Sequence, residues 1–141
     1  MTMKIVGEKL KMTQIFKGDR AYGVTPIRLA TTEALAEVKE GDLVKVGAIS
    51  KSKGFQGVVK RHGFHGGPKT HGQKNRLRAP GSIGSTAPQR VLPGRRMPGR
   101  MGGVKITVKN LKIVAIDNDK KILMLNGAVP GNTGTQVLIR K

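Results

Sequence analysis

Short apolar stretches separated by turn residues make up both ends of this chain. In residues 104–111, VKITVKNL, apolar side chains at 104, 106 and 108 alternate strictly with polar ones at 105, 107 and 109, which is typical of a half-buried strand. The apolar runs LKIVAI, KILMLN and TQVLIR follow, with turn residues such as Asn126-Gly127 between them. Upstream, MKIVG, TQIF, AYGVTPIRL and DLVKVGAI have the same β character. The only segment with a helical pattern is TTEALAEV, for which Thr32 is a candidate cap.

Six to eight short strands without a recurrent helix predict a mostly β fold, a small antiparallel barrel of about six strands. We expect residues 1–50 and 104–141 to form this barrel as one discontinuous globular domain. Residues 51–103, here called the basic segment, would leave it as a long loop. Because the basic segment holds 12 of the 20 glycines, five of the seven prolines and all three histidines, we expect its backbone to be mostly irregular or extended.

Positive charge is concentrated in the basic segment. The chain has 27 Lys and Arg against 8 Asp and Glu, a net charge of +19, and the basic segment contributes 12 of the basic residues and no acidic one. Such a surplus repels itself unless a polyanion neutralises it. A partner that orders the segment would also explain so long a loop inside one domain. Nucleic acid is therefore the leading partner.

The stretch at residues 63–70, GFHGGPKT, is one residue away from the phosphate-binding loop pattern G-x-x-x-x-G-K-[ST]. Pro68 stands in place of the second glycine and removes one backbone N–H from the cradle. The following residues, HGQKNRLRAPGS, have no apolar face on which a helix could dock. We therefore expect no small-molecule substrate here, and Asp117 is interpreted as a turn residue.

Metal binding, catalysis and membrane binding find little support in the sequence. His62, His65 and His71 lie within ten residues, but no acidic residue occurs between Asp42 and Asp117 to orient them, and the chain has no cysteine. We expect no metal, no cofactor, no catalytic residue and no enzymatic activity.

With neither an apolar run of about 18 residues nor a leader, the sequence predicts no membrane association and a cytoplasmic or organelle-interior location.

RNA remains as the partner. Aromatic residues are few, which disfavours a platform that stacks many bases and favours a basic arm that recognises the shape and backbone of folded RNA. The candidate RNA-binding residues are Lys51, Lys53, Phe55, Lys60, Arg61, His62, Phe64, His65, Lys69, His71, Lys74, Arg76, Arg78, Arg90, Arg95, Arg96 and Arg100.

Several motifs carry a family resemblance. The segments SKGFQGVVKRHGFHGGPKTHG, APGSIGSTAPQRV, RRMPGRMGG and ITVKNLKIVAIDNDKKILMLNGAVPG, with KMTQIF near the start, strongly resemble the bacterial-type large-subunit ribosomal protein L-three (uL3) family. The resemblance covers residues 4–24 and 41–140 in the family's order. Relative to the family, the part between Val24 and Asp42 is much shorter, so that this chain resembles an unusually short member.

The resemblance implies a structural constituent of the large ribosomal subunit, located in the cytoplasmic or an organelle ribosome. It implies a translation-protein-type barrel and an extension that passes through large-subunit (23S-type) rRNA, supports early assembly and contacts neighbouring large-subunit ribosomal proteins. The extension tip would lie near the peptidyl transferase centre, at Gly81, Ser82, Ile83, Gly84, Ser85 and Thr86. The alternative is a transient rRNA-binding assembly factor or RNA chaperone.

Overall fold

The computed structural model describes residues 4–31, 35 and 38–141, so that most of the predicted helix, including its cap Thr32, lies outside the described residues. The described elements are β1 (Lys4–Lys9), β2 (Thr13–Lys17), β3 (Arg20–Leu29), β4 (Leu43–Ile49), β5 (Phe55–Gln56), α1 (Val58–His62), β6 (Gly99–Arg100), β7 (Lys105–Asp117), β8 (Ile122–Asn126) and β9 (Gln136–Arg140). They divide into two compact units. The β unit comprises the described residues of Met1–Lys51 with Gly103–Lys141, and the basic unit comprises Ser52–Gly102.

The β unit contains one seven-stranded antiparallel sheet in the order β1-β9-β4-β7-β8-β3-β2. The prediction of a mostly β, antiparallel fold is confirmed. Strand β1 also pairs with β3, through residues 7–9 and residues 27–29. The first and sixth strands of the order therefore meet over three residue pairs only, and the result is a sheet whose ends touch rather than a regular barrel.

Alternation along the strands builds the core of the β unit. In β1, Ile5 and Gly7 are buried and their neighbours are exposed, and Val137 and Ile139 of β9 repeat this pattern. Burying an aliphatic side chain of this size contributes about 1.5–3 kcal/mol. The buried cluster consists of Ile5, Ile27, Leu29, Leu35, Val38, Val44, Val46, Ala48, Ile113, Leu123, Leu125, Val129, Val137 and Ile139.

Gly7 permits the close approach of β1 and β3. A Cβ at this position would lie 2.6 Å from Ile27 Cγ2 and 2.8 Å from the Arg28 carbonyl oxygen. Both distances are shorter than van der Waals contact. The touching ends of the sheet therefore depend on the absence of a side chain at Gly7.

The two strands predicted at VKITVKNL and LKIVAI form one 13-residue strand, β7. Asn110 has a positive φ of 60°, and the pairing of β4 with β7 shifts register between Val44 and Val46. This irregularity bends the strand without ending it. The predicted half-buried face is only partly formed, because Ile106 is 40% exposed and Val104, just before the strand, is 58% exposed.

The basic unit contains a two-stranded sheet of β5 and β6 and the five-residue helix α1. The helix is a difference from the sequence prediction, which had TTEALAEV as the only helical segment. Between Gly57 and Gly63 five residues lack Gly and Pro, and Gly63 ends the helix in the left-handed region (φ 73°). Its N–H donates to the Val59 carbonyl at 3.0 Å. Across the described residues, every helix is too short or too polar to cross a bilayer.

Candidate RNA interface

The basic unit is rich in cations and has almost no core. Val58, at 1% exposure, is the one buried side chain among its 51 residues, all of which are described. Eleven of these residues are Lys or Arg and none is acidic. The ion pairs found in the described part of the chain, Lys17–Glu40, Arg28–Glu8 and Lys141–Asp42, all belong to the β unit. The charge of the basic unit is therefore uncompensated within it.

Most predicted RNA-binding side chains are on the surface of their unit. Arg61, His62 and Phe64 are partly buried. Lys51 belongs to the β unit. The exposed members of the predicted set are Lys51, Lys53, Phe55, Lys60, His65, Lys69, His71, Lys74, Arg76, Arg78, Arg90, Arg95, Arg96 and Arg100.

Arg61 and His62, at the end of α1, hold the segment around Met97. Arg61 Nη1 donates to the Met97 carbonyl at 2.6 Å, and His62 Nε2 lies 3.0 Å from the same oxygen. Since a carbonyl oxygen only accepts, Nε2 carries the proton. A Cβ at Gly99 would lie 2.8 Å from Arg61 Nη1, so the guanidinium packs directly on that backbone. Both side chains thus have a structural task that the sequence pattern did not predict.

Two glycines close the loop that contains GFHGGPKT. The Gly67 N–H donates to the carbonyls of Arg76 (3.1 Å) and Leu77 (3.0 Å). With its amide oriented to satisfy its neighbours, Gln73 accepts through Oε1 from the N–H groups of Arg76 (2.8 Å) and Leu77 (2.9 Å). A Cβ at Gly66, whose φ is 77°, would lie 2.1 Å from the Leu77 oxygen. Sequence reasoning missed this closure, for which the Gly-Gly pair was the one available signal.

The closed loop does not have the architecture of a nucleotide cradle. Residues 68–98 are turns, bends and irregular backbone, so no helix N-terminus faces GFHGGPKT within this described stretch. In the ranges that the structure describes, His, Asp and Glu side chains form no group of three that could hold a metal ion.

A cleft of about 650 Å³ opens beside the closed loop. The residues that line it include His62, Phe64, Pro68, Pro80 and Arg96. The His62 and Phe64 ring centroids are 5.9 Å apart and the rings are inclined at 42°. Flat apolar surfaces and cationic groups therefore meet in one concavity.

The predicted extension tip, residues 81–86, is exposed throughout. Ser82 Oγ donates to the Gly84 carbonyl at 2.8 Å, and Arg95 Nη2 donates to the Ser82 carbonyl. Ile83 is 47% exposed, which is unusual for isoleucine in a folded body. The tip is thus a surface turn held by hydrogen bonds and not by packing.

Lys9 of the β unit forms hydrogen bonds within the fold, unlike the exposed cations of the basic unit. Its Nζ donates to the carbonyls of Val129 (2.6 Å) and Gly131 (2.7 Å). Partial burial, and secondarily the positive charge of Lys51, lower the pKa of Lys9 below its ordinary value. This lysine holds the chain before β9 in place.

Comparison with known proteins gives one consistent family. Residues 25–121 match the family model described as ribosomal protein L3. Proteins named large ribosomal subunit protein uL3 are similar to the chain. The Chlorobium limicola protein is 58% identical over 102 residues (72% of this chain, 49% of the relative). The Chlorobium phaeobacteroides protein is 54% identical over 106 residues (74% and 51%), and the Chlorobium phaeovibrioides protein is 52% identical over 128 residues (90% and 58%).

The chain spans about half the length of the curated relatives that it matches. The matched region runs from β3 to the turn before β8 and includes the whole basic unit. The family model matches more than half of the chain, and the relatives with which it agrees are bacterial. The chain therefore belongs to the ribosomal protein L3 family, in its bacterial form.

Proposed function

We propose that this chain is a structural constituent of the large ribosomal subunit that binds large-subunit rRNA through the basic segment. The observation that carries the proposal is the basic unit itself, with eleven cations, no acidic residue and one buried side chain in 51 residues. Such a unit gains little free energy from burying apolar surface. Neutralisation of RNA phosphates by its exposed Lys and Arg would supply the missing stabilisation.

The proposal assigns a task to each part of the chain. Residues 1–50 and 104–141 form the globular, barrel-type body, and residues 51–103 form the extension that lies against rRNA. The tip at residues 81–86 would lie nearest the peptidyl transferase centre, where the RNA performs the chemistry. The extension would also support early assembly of the subunit, beside neighbouring large-subunit proteins, in the bacterial cytoplasm. This function requires no catalytic residue, cofactor, metal or small-molecule substrate.

Salt titration of rRNA binding tests the proposal. If about six to ten phosphates are contacted, affinity for transcribed large-subunit rRNA should fall by about 10³ to 10⁵ between 50 and 200 mM salt. Replacing the exposed Lys53, Lys60, Lys69 and Lys74 by Gln should reduce the slope by about 0.7–0.9 for each lost contact. The matched control replaces four exposed lysines of the β unit by Gln, namely Lys109, Lys112, Lys120 and Lys121. Equal slopes for the two variants would contradict the assignment of the interface.

A second measurement separates a permanent constituent from a factor that leaves. The chain should be recovered in stoichiometric amount with large subunits that have been washed at high salt. Quantitative release by the wash, with rRNA affinity intact at low salt, would instead identify a transient assembly factor or RNA chaperone.

A further inference from the structure

We propose that the cleft beside the closed loop binds one unpaired nucleobase of the rRNA, with the Phe64 ring as its stacking surface. This inference rests on the proposed function and specifies what one part of the basic unit recognises. It differs from phosphate binding by the exposed lysines, because it concerns a half-enclosed site with an aromatic wall.

The size and lining of the cleft suit a base. Its volume of about 650 Å³ falls within the range of about 300–1,000 Å³ found for sites that hold small organic ligands. Phe64, Pro68 and Pro80 line it, together with Gly63, Gly66, Gly67 and Gly81. A flat heterocycle can bury apolar area against aromatic and proline rings, whereas a phosphate group alone would gain nothing from them.

The charged groups of the cleft complement the rest of a nucleotide. Arg76 and Arg96 both line it, and the basic unit contains no carboxylate with which they could pair. A guanidinium can stack on a base and can also donate to a phosphate, so either contact is compatible with a base held at Phe64. A nucleotide, with an aromatic base and an anionic phosphate, matches this combination.

Hydrogen bonds within the basic unit define the shape of the cleft. On one side, Gly67 and Gln73 fix the backbone of Arg76 and Leu77. On the other side, His62, whose ring lies 5.9 Å from that of Phe64, is held on the Met97 carbonyl. Folded RNA offers suitable ligands, because bases in loops and bulges are unstacked and available to aromatic side chains.

Ultraviolet crosslinking of the full chain to transcribed large-subunit rRNA tests this inference directly. We expect a nucleobase adduct on Phe64 or His62, mapped by mass spectrometry.

Phe64→Leu should weaken rRNA binding by about 5- to 150-fold, the range of one base–aromatic stack. The slope of log affinity against log salt should stay unchanged, because no phosphate contact is lost. Phe64→Tyr should retain the wild-type affinity, and Phe16→Leu, which removes a 68% exposed ring from the β unit, is the matched control.

The outcomes separate the two proposals. If the wild-type chain binds rRNA but Phe64→Leu binds equally well, or adducts form only outside the cleft, the base site is wrong and the proposed function stands. A reduced salt slope for Phe64→Leu would also overturn the base site, because it would indicate loss of phosphate contacts. If the wild-type chain binds no rRNA at low salt, the proposed function itself fails.

Discussion

Gly7 is the residue on which contact between the ends of the sheet depends. In Gly7→Ala the new methyl group would meet Ile27 Cγ2 and the Arg28 carbonyl, at the 2.6 and 2.8 Å found for an ideal Cβ. We expect the free energy of unfolding to fall by about 1–3 kcal/mol, the usual effect of overpacking. Urea denaturation measures this change.

The control for Gly7→Ala is Gly23→Ala in β3. There the nearest atom to an added Cβ is the flexible Met12 Cε at 3.4 Å, so the methyl group can be accommodated. We expect the stability of this variant to stay at the wild-type value or to rise slightly, since alanine restricts the unfolded chain more than glycine does. Equal losses in the two variants would show that the β1–β3 contact is not tight.

Asp42 gives the β unit a dependence on pH. Hydrogen bonds from Lys141 Nζ (2.5 Å) and from the Lys39 N–H (3.0 Å) hold the pKa of this carboxyl below its ordinary value of 3.8. A lowered pKa in the folded state means that the stabilisation is complete above pH 3.8 and is lost as the pH falls through the lowered value.

We therefore expect the thermal midpoint of the wild type to fall as the solution is acidified below pH 4. In Lys141→Gln the largest cause of the lowered pKa is removed, so the folded-state and unfolded-state pKa values lie closer together and the fall of the midpoint on acidification should be smaller. Asp42→Asn should make the thermal midpoint less dependent on pH, because residue 42 then no longer titrates. Parallel curves for all three proteins, followed by circular dichroism, would exclude Asp42 as a source of the dependence.

Single residues differ in how well the sequence revealed their environment. Pro68 and the residues after it led us to expect no helix following GFHGGPKT, and the described residues 68–98 contain none. Gly66 and Gly67 were not interpreted, because the backbone that requires them, at Leu77 and Arg76, lies further along the chain. Arg61 and His62 were assigned only to RNA, whereas both also hold the Met97 carbonyl.

At the scale of elements, one alternating segment and several short apolar runs between turn residues predicted every described strand of five residues or more. The bounds of β7 could not be predicted, because Asn110 adopts a left-handed conformation inside the strand and joins two predicted strands into one. The helix α1 was missed because five residues are too few to show a helical period. The order in which the strands pair could not be predicted either, since the contact between β1 and β3 depends on tertiary structure.

The β unit contains its own means of closing without the basic unit. The Ser50 N–H donates to the Val104 carbonyl at 2.9 Å, and the Gly103 N–H donates to the Ser50 carbonyl at 3.2 Å. Pairing of β4 with β7 therefore continues to the point where the basic unit begins. Replacing Ser52–Gly102 by Asn-Gly should form a hairpin turn at this point.

We expect the shortened chain to unfold cooperatively in urea and to lose nearly all affinity for large-subunit rRNA. The first result follows from the core of the β unit, to which no residue of the basic unit belongs. The second follows from the removal of eleven cations. Strong rRNA binding by the shortened chain would locate the main interface on the β unit instead.

When no RNA is present, we expect the backbone of the β unit to be better ordered than that of the basic unit. Amides in β3, β4 and β8 are paired on both sides and lie over the buried cluster, so we expect slow hydrogen exchange there. In Ser52–Gly102, with Val58 as its one buried side chain, exchange should be fast. Addition of rRNA should slow exchange in the basic unit selectively. Protection of the free basic unit equal to that of β3 would contradict this expectation.

The near-absence of a core in the basic unit has a consequence for the amount of protein that a cell keeps. If the proposed function holds, a copy without bound RNA would leave many lysyl and arginyl peptide bonds open to proteases, because little free energy opposes local opening there. An assembled copy would be shielded. Turnover would then remove the surplus, and the steady-state level would follow the supply of rRNA without any dedicated sensor.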